Sequence, residues 1–144
     1  MTSNLPIDIQ KEIEQLKSEF NFFSDWTERY QYLIEMADRM PPFPPELQTE
    51  DYKFHGCQSQ VWLHHEYRDG RIWLQGYSDS KIVQGLIAVL LRVYSGRTPD
   101  EILASSTDFL KELGLAEHLS PNRSTGLFNM VEAIHAIATQ YRAA

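Results

Sequence analysis

The chain has 144 residues, 42% hydrophobic and 23% charged, enough for one domain with a sizeable core, read as spanning 1–144, and too few for two. Its net charge of −7, with no run of Lys and Arg to offset it, argues against nucleic-acid binding through phosphate contacts. The longest apolar run, "LIAVLL" (Leu86–Leu91), is too short to span a bilayer, the N-terminus lacks a signal or transit pattern, and the lone cysteine cannot form an internal disulfide, so the expected location is the cytoplasm.

In chain order, Ile9, Ile13, Leu16 and Phe20 recur at helical spacing. Asp25 with Glu28 reads as a capping box, and Trp26, Tyr30, Leu33, Ile34 and Ala37 then fall on one helical face. "PPFPPE" (Pro41–Glu46) ends that helix, because proline lacks an amide proton and restricts the residue before it. A short strand is expected near Tyr52–Phe54. The segments "VWLHHEY" and "RIWLQG" flank Asp69-Gly70, a pair suited to a tight hairpin turn. Val61, Leu63, His65 and Tyr67 share one strand face, and Trp62, His64 and Glu66 the other.

Helices follow to the end. "SKIVQGLIAVLLRVYS" is apolar almost all round and reads as a helix buried on most sides. Thr98–Glu101 is a capping box with Pro99 at the first helical position, and Gly114 closes the short helix "DFLKELG". "SPNR" (Ser120–Arg123) reads as a turn before a last helix with the stripe Leu127, Met130, Val131, Ile134, Ile137, Ala138 and Tyr141. The fold class is α+β: a small three-stranded antiparallel sheet packed against several helices.

The residues alone leave the chemistry open. Cys57 reads either as a small buried filler or as a thiol at a loop, since its neighbours Gln58, Ser59 and Gln60 are polar and Gly56 permits backbone angles that other residues resist. His55, His64 and His65 lie close to it in sequence without the paired spacing of a zinc site, and His64 and His65 point to opposite strand faces, so no metal is expected. His118 or His135 could serve as the base of a cysteine hydrolase, but nothing in the sequence brings either to Cys57. No phosphate-binding loop or dinucleotide fingerprint is present.

Three stretches carry a resemblance. "GCQSQVW" (Gly56–Trp62), "LQGYSDSKIVQGLIAVLL" (Leu74–Leu91) and "SPNRSTGL" (Ser120–Leu127) resemble, in order and separation, the signatures of the SufE family, and the similarity extends from about Trp26 onward. The resemblance implies a fold shared with the IscU-type cluster scaffolds. It implies a sulfur-acceptor protein that takes sulfane sulfur from a cysteine desulfurase, stimulates that enzyme, and passes sulfur on for iron–sulfur cluster assembly. On this match Cys57 is the persulfide acceptor, Arg123 is the arginine of the family's arginine-serine motif, and Asp79 is the aspartate of the Ser-Asp pair after the hairpin. His55, Gly56, Gln58 and Ser59 form the surrounding loop. Where the family commonly has Gln-Gly after the arginine-serine pair, this chain has Thr125-Gly126.

The implied partners are a desulfurase of the SufS type, which holds the pyridoxal phosphate, and a downstream scaffold; the chain itself needs no cofactor and is expected as a monomer or homodimer. Alternatives are a paralogous acceptor serving a different desulfurase, an IscU-like scaffold, and a thiol hydrolase. A free thiol is only a few per cent ionised at pH 7, about 8.5 being its ordinary pKa, so Arg123, and more weakly His55, is expected to support the thiolate. Arg123 also has a bland reading as a cap or ion-pair partner, and Asp79 or Ser78 as the cap of the following helix. The sulfur is expected to turn inward when the protein is alone.

Overall fold

The structure is a computed structural model that describes residues 8–142. Two helices open it, α1 (Ile9–Phe22) and α2 (Trp26–Asp38). Asp8 caps α1 by accepting from Lys11 N at 2.9 Å, and Asp25 caps α2 by accepting from Glu28 N at 2.9 Å. The expected capping box is displaced by one residue: the Glu28 carboxylate accepts from Ser24 N and Oγ, at 3.1 and 3.0 Å. The periodic residues Ile9, Ile13, Leu16 and Phe20 are all buried.

After the proline-rich segment come β1 (Lys53–Phe54), β2 (Val61–Arg68) and β3 (Arg71–Ser78), in the order β1-β2-β3 and all antiparallel. Asp69 and Gly70 take φ of 56° and 76°, the two left-handed positions that let a tight turn follow the twist of the strands. The register pairs Val61 with both Phe54 and Ser78. The inner face pairs Leu63 with Gly76, His65 with Leu74 and Tyr67 with Ile72.

That face packs on α3 (Lys81–Tyr94), which also meets α1, α2 and α7. Surrounded on so many sides, α3 buries Val83, Gln84 and every residue from Gly85 to Leu90, which explains why its sequence lacks a polar face. Its cap is Ser80, whose Oγ accepts from Val83 N; the expectation that Asp79 or Ser78 caps the helix is corrected, and Ser78 Oγ instead accepts from Ser80 N.

The remaining helices are α4 (Pro99–Ala104), α5 (Asp108–Glu112), α6 (Leu115–His118) and α7 (Pro121–Arg142). Thr98 and Glu101 complete the reciprocal box on α4. Gly114, at φ 81°, ends α5 as expected, but the chain immediately makes the extra turn α6, where the His118 ring stacks on Trp26 at 4.2 Å. Ser120–Arg123 is not a turn before the last helix: α7 begins at Pro121, so Arg123 lies within its first turn. Ser120 Oγ accepts from Arg123 N at 3.3 Å, and proline suits the first helical position because its missing N–H would be unpaired there.

Candidate functional site

Between the paired positions Phe54 and Val61 the chain leaves the sheet, and residues 55–60 cross to α7. Gly56 permits this by its size. A Cβ there would meet the Phe54 ring at 2.5 Å and Asn129 Cβ at 3.0 Å. Its φ is outside the left-handed region, so the expectation of special backbone angles is corrected: glycine is needed for close approach. Asn129 Nδ2 donates to the Gly56 carbonyl at 2.8 Å.

One residue on, Cys57 is a half-buried free thiol packed against the core. Its Sγ sits over Gly126 of α7 so closely that a Cβ at that position would overlap it. Burial pushes the Cys57 thiol up, because low-dielectric surroundings disfavour the thiolate. The site therefore favours the protonated thiol over the thiolate.

Cys57, Gln58 and Ser59 line a cavity of about 310 Å³. Val83 and Leu86 of α3 and Met130 of α7, all buried, supply its apolar wall. Ser120, Asn122 and Arg123, all exposed, supply a polar rim. The two sequence signatures around Cys57 and Arg123 thus meet at one cavity although 66 positions separate them. The Arg123 guanidinium forms no ion pair among the described residues, which removes its reading as an ion-pair partner. A cation in the first turn of a helix opposes the helix dipole by a few tenths of a kcal/mol or more. Here the arginine and the positive helix end together make the rim attractive to an anion.

The other expected residues fall elsewhere. His55 is exposed, with Nε2 3.8 Å from the Glu50 carboxylate, and Asp79 is exposed in the turn between β3 and α3; neither lines the cavity. The histidines that might serve a hydrolase are engaged away from Cys57: His118 Nδ1 pairs with Gly114 O, and His135 Nδ1 with Val131 O, each at 3.0 Å. His64 meets Gln75 and His65 meets Tyr141. Among the described residues no group of three or more His, Cys, Asp or Glu side chains converges as a metal site. No helix among them is long and apolar enough to cross a membrane.

Reasoning from sequence did not find Asn129, Val83, Leu86 or Met130 as site residues, and saw Gly126 only as part of a motif. Gly126 carried a usable signal, since a glycine inside a strongly periodic helix marks a close approach. Asn129 carried none: a polar residue beside an apolar stripe is ordinary.

An α+β domain that seats one thiol between a loop and a helix, beneath a cationic rim, defines the class: a single-cysteine protein without a catalytic base or metal cluster at its thiol among the described residues. Residues 14–138 match the family described as SufE, an Fe-S metabolism associated domain, and the chain belongs to that family. It is 36% identical over 131 residues to an uncharacterized SufE-like protein of Rhizobium meliloti, covering 88% of this chain and 94% of the relative. An uncharacterized SufE-like protein of Rhizobium etli is 39% identical over 127 residues, covering 85% and 86%. The solution structure of a hypothetical protein from Thermus thermophilus superposes with a TM-score of 0.73 over 97% of this chain and 99% of that one; at 24% identity this likeness speaks for the fold alone. Family membership gives the chain a role in iron–sulfur metabolism.

Proposed function

We propose that the protein is a cytoplasmic sulfur carrier that accepts sulfane sulfur on Cys57 from a cysteine desulfurase of the SufS type, stimulates that enzyme by clearing its persulfide, and passes the sulfur to a cluster-assembly scaffold. The observation that carries this reading is the position of the only cysteine, inside the family's signature and on a cavity shared with Arg123. Transfer needs one nucleophile. The Cys57 thiolate attacks the outer sulfur of the donor persulfide; a new S–S bond forms on Cys57 as the donor's S–S bond breaks. The donor cysteine leaves as a thiolate and takes the proton that Cys57 gave up. No electrons are gained or lost overall, so no redox partner or resident cofactor is required.

The buried, protonated thiol is the resting state of such a carrier. In it an acquired persulfide is shielded from reductants, and transfer requires the loop of residues 55–60 to swing out toward the partner. Arg123 and the α7 N-terminus support the anion as it forms. His55, Gln58 and Asp79, exposed around the site, belong to the surface that meets the partner.

The test is intact mass after incubation with a cysteine desulfurase and cysteine, without reductant. The chain gains one or more sulfur atoms, removable by reductant, and Cys57→Ser gains none and no longer stimulates the desulfurase. Sulfur-sized mass on the serine variant would sink the reading.

A further inference from the structure

We propose that Gly126 and Asn129 of α7 are the positioning pair that keeps the Cys57 loop closed, and that these two contacts set how often the thiol is exposed; the proposal rests on the sulfur-carrier reading above. Both residues meet the loop at consecutive positions. Asn129 Nδ2 holds the Gly56 carbonyl at 2.8 Å, and the absent side chain of Gly126 leaves the space that Cys57 Sγ fills. Three positions apart on a helix, they are neighbours on one face. The Asn129 bond is also the one hydrogen bond that residues 56–60 make to another element among the described residues. The closed loop is therefore held at two points, one polar and one steric.

Helix chemistry gives no reason for either residue. Glycine and asparagine both weaken a helix interior relative to alanine, and in α7 they fall in the turn that meets the loop. The seat is also small enough to be reversible. One net hydrogen bond multiplies the closed-to-open ratio by roughly two- to tenfold, far short of what would lock the loop permanently. Release of the Gly56 carbonyl frees the residue next to Cys57, and eviction from the Gly126 seat turns the sulfur out. No other element has to move.

The experiment is the alkylation rate of Cys57 by iodoacetamide in the isolated full chain at neutral pH, beside the unfolding midpoint and amide exchange over residues 56–60. Asn129→Ala raises the rate roughly two- to tenfold and speeds exchange at Gly56 and Cys57 while the midpoint stays in place. Asn129→Asp, of the same shape but without an N–H donor, does the same. Gly126→Ala also raises the rate, because its methyl group excludes the closed position of the sulfur. Unchanged alkylation in the two Asn129 variants, or a rise in the alanine variant alone, overturns the proposal, the latter by assigning the effect to packing. Gly126→Ala as slow as the wild type overturns it too, as does any acceleration matched by a falling midpoint. The readout needs no desulfurase. A wild-type chain that gains no sulfur therefore sinks the carrier reading and leaves this result standing, and the reverse also holds.

Discussion

At the scale of single residues, the deciding feature is that Cys57 has polar neighbours along the chain and apolar neighbours in space. Gln58 and Gln60 are exposed, yet the sulfur between the sheet and α7 packs against the core. Chain neighbours read from the sequence suggested a loop, which is right; they could not give the direction of one side chain, because Gly126 and Asn129 decide it from far along the chain. Burial raises the thiol, while Arg123 stands on the rim of the same cavity, where its charge would favour a thiolate, so the two influences can be separated by substitution. The pH profile of Cys57 alkylation in the isolated chain has its midpoint above that of a cysteine in an unstructured peptide. Arg123→Ala moves it further up, because loss of the neighbouring cation disfavours the thiolate. A wild-type midpoint at the peptide value would show that burial does not act on the thiol, and one left unmoved or lowered by the substitution would show that the arginine does not. Because the folded thiol holds its proton more tightly than the unfolded one, the linked stability is complete below the unfolded value and is lost as pH rises through the folded one.

At the scale of elements, most of the fold was legible because the local signals agreed with one another. Helical periodicity, the Thr98–Glu101 box, the Asp69-Gly70 turn and Gly114 each predicted what the structure contains. What was missed was set by packing. The extra turn α6 forms where the chain is drawn against Trp26. The start of α7 was within reach, since serine followed by proline is a helix-opening signature, and reading it as a turn put Arg123 in the wrong element. The two mid-helix glycines at contacts show how the same residue answers to different partners. A Cβ at Gly85 would overlap the Leu33 carbonyl oxygen and sit 2.8 Å from Leu33 C, so it meets the backbone of α2, which cannot give way. A Cβ at Gly126 meets a side chain on a loop. Alanine gains about 1 kcal/mol of helix preference at either site. At Gly85 that gain is outweighed by forcing α2 and α3 apart, at roughly 1–3 kcal/mol or more. Gly85→Ala therefore lowers the unfolding free energy by up to about 2 kcal/mol in denaturant titration, and a stabilised variant would refute the close crossing.

At the scale of the whole molecule, α3 joins a stability device at one end to the site at the other. Near its C-terminus the Arg92 guanidinium reaches Glu12 at 2.6 Å and Glu19 at 2.7 Å, fastening α1 to α3, while Val83 and Leu86 in its first two turns line the Cys57 cavity. Arg92 and Val83 are nine positions apart, roughly 14 Å along a helix, so the clamp and the site share an element and no contact. The three charged groups are partly buried, and the hydrogen bonds from Arg92 hold the Glu19 carboxyl below the ordinary carboxylate range. A carboxylate depressed by folding stabilises the native state above its unfolded pKa, and that contribution is lost as pH falls toward the folded value. Arg92→Met, which keeps most of the side-chain length and removes the charge, therefore costs roughly 1–3 kcal/mol at neutral pH, since it leaves two partly buried carboxylates without their cation, Glu19 keeping the Tyr32 hydroxyl. The gap between variant and wild type narrows in acid, because protonation relieves the variant and weakens the wild type. Denaturant titrations of both proteins at neutral pH and below the carboxylate range measure that gap, and a constant difference would mean that the clamp contributes nothing electrostatic. Cys57 alkylation at neutral pH stays at the wild-type rate in the folded variant, because the loop opens locally on α7 while the clamp acts on the fold as a unit. Faster alkylation in Arg92→Met would instead mean that the thiol is reached only by global unfolding, in which case the Gly126 and Asn129 contacts would not control its exposure.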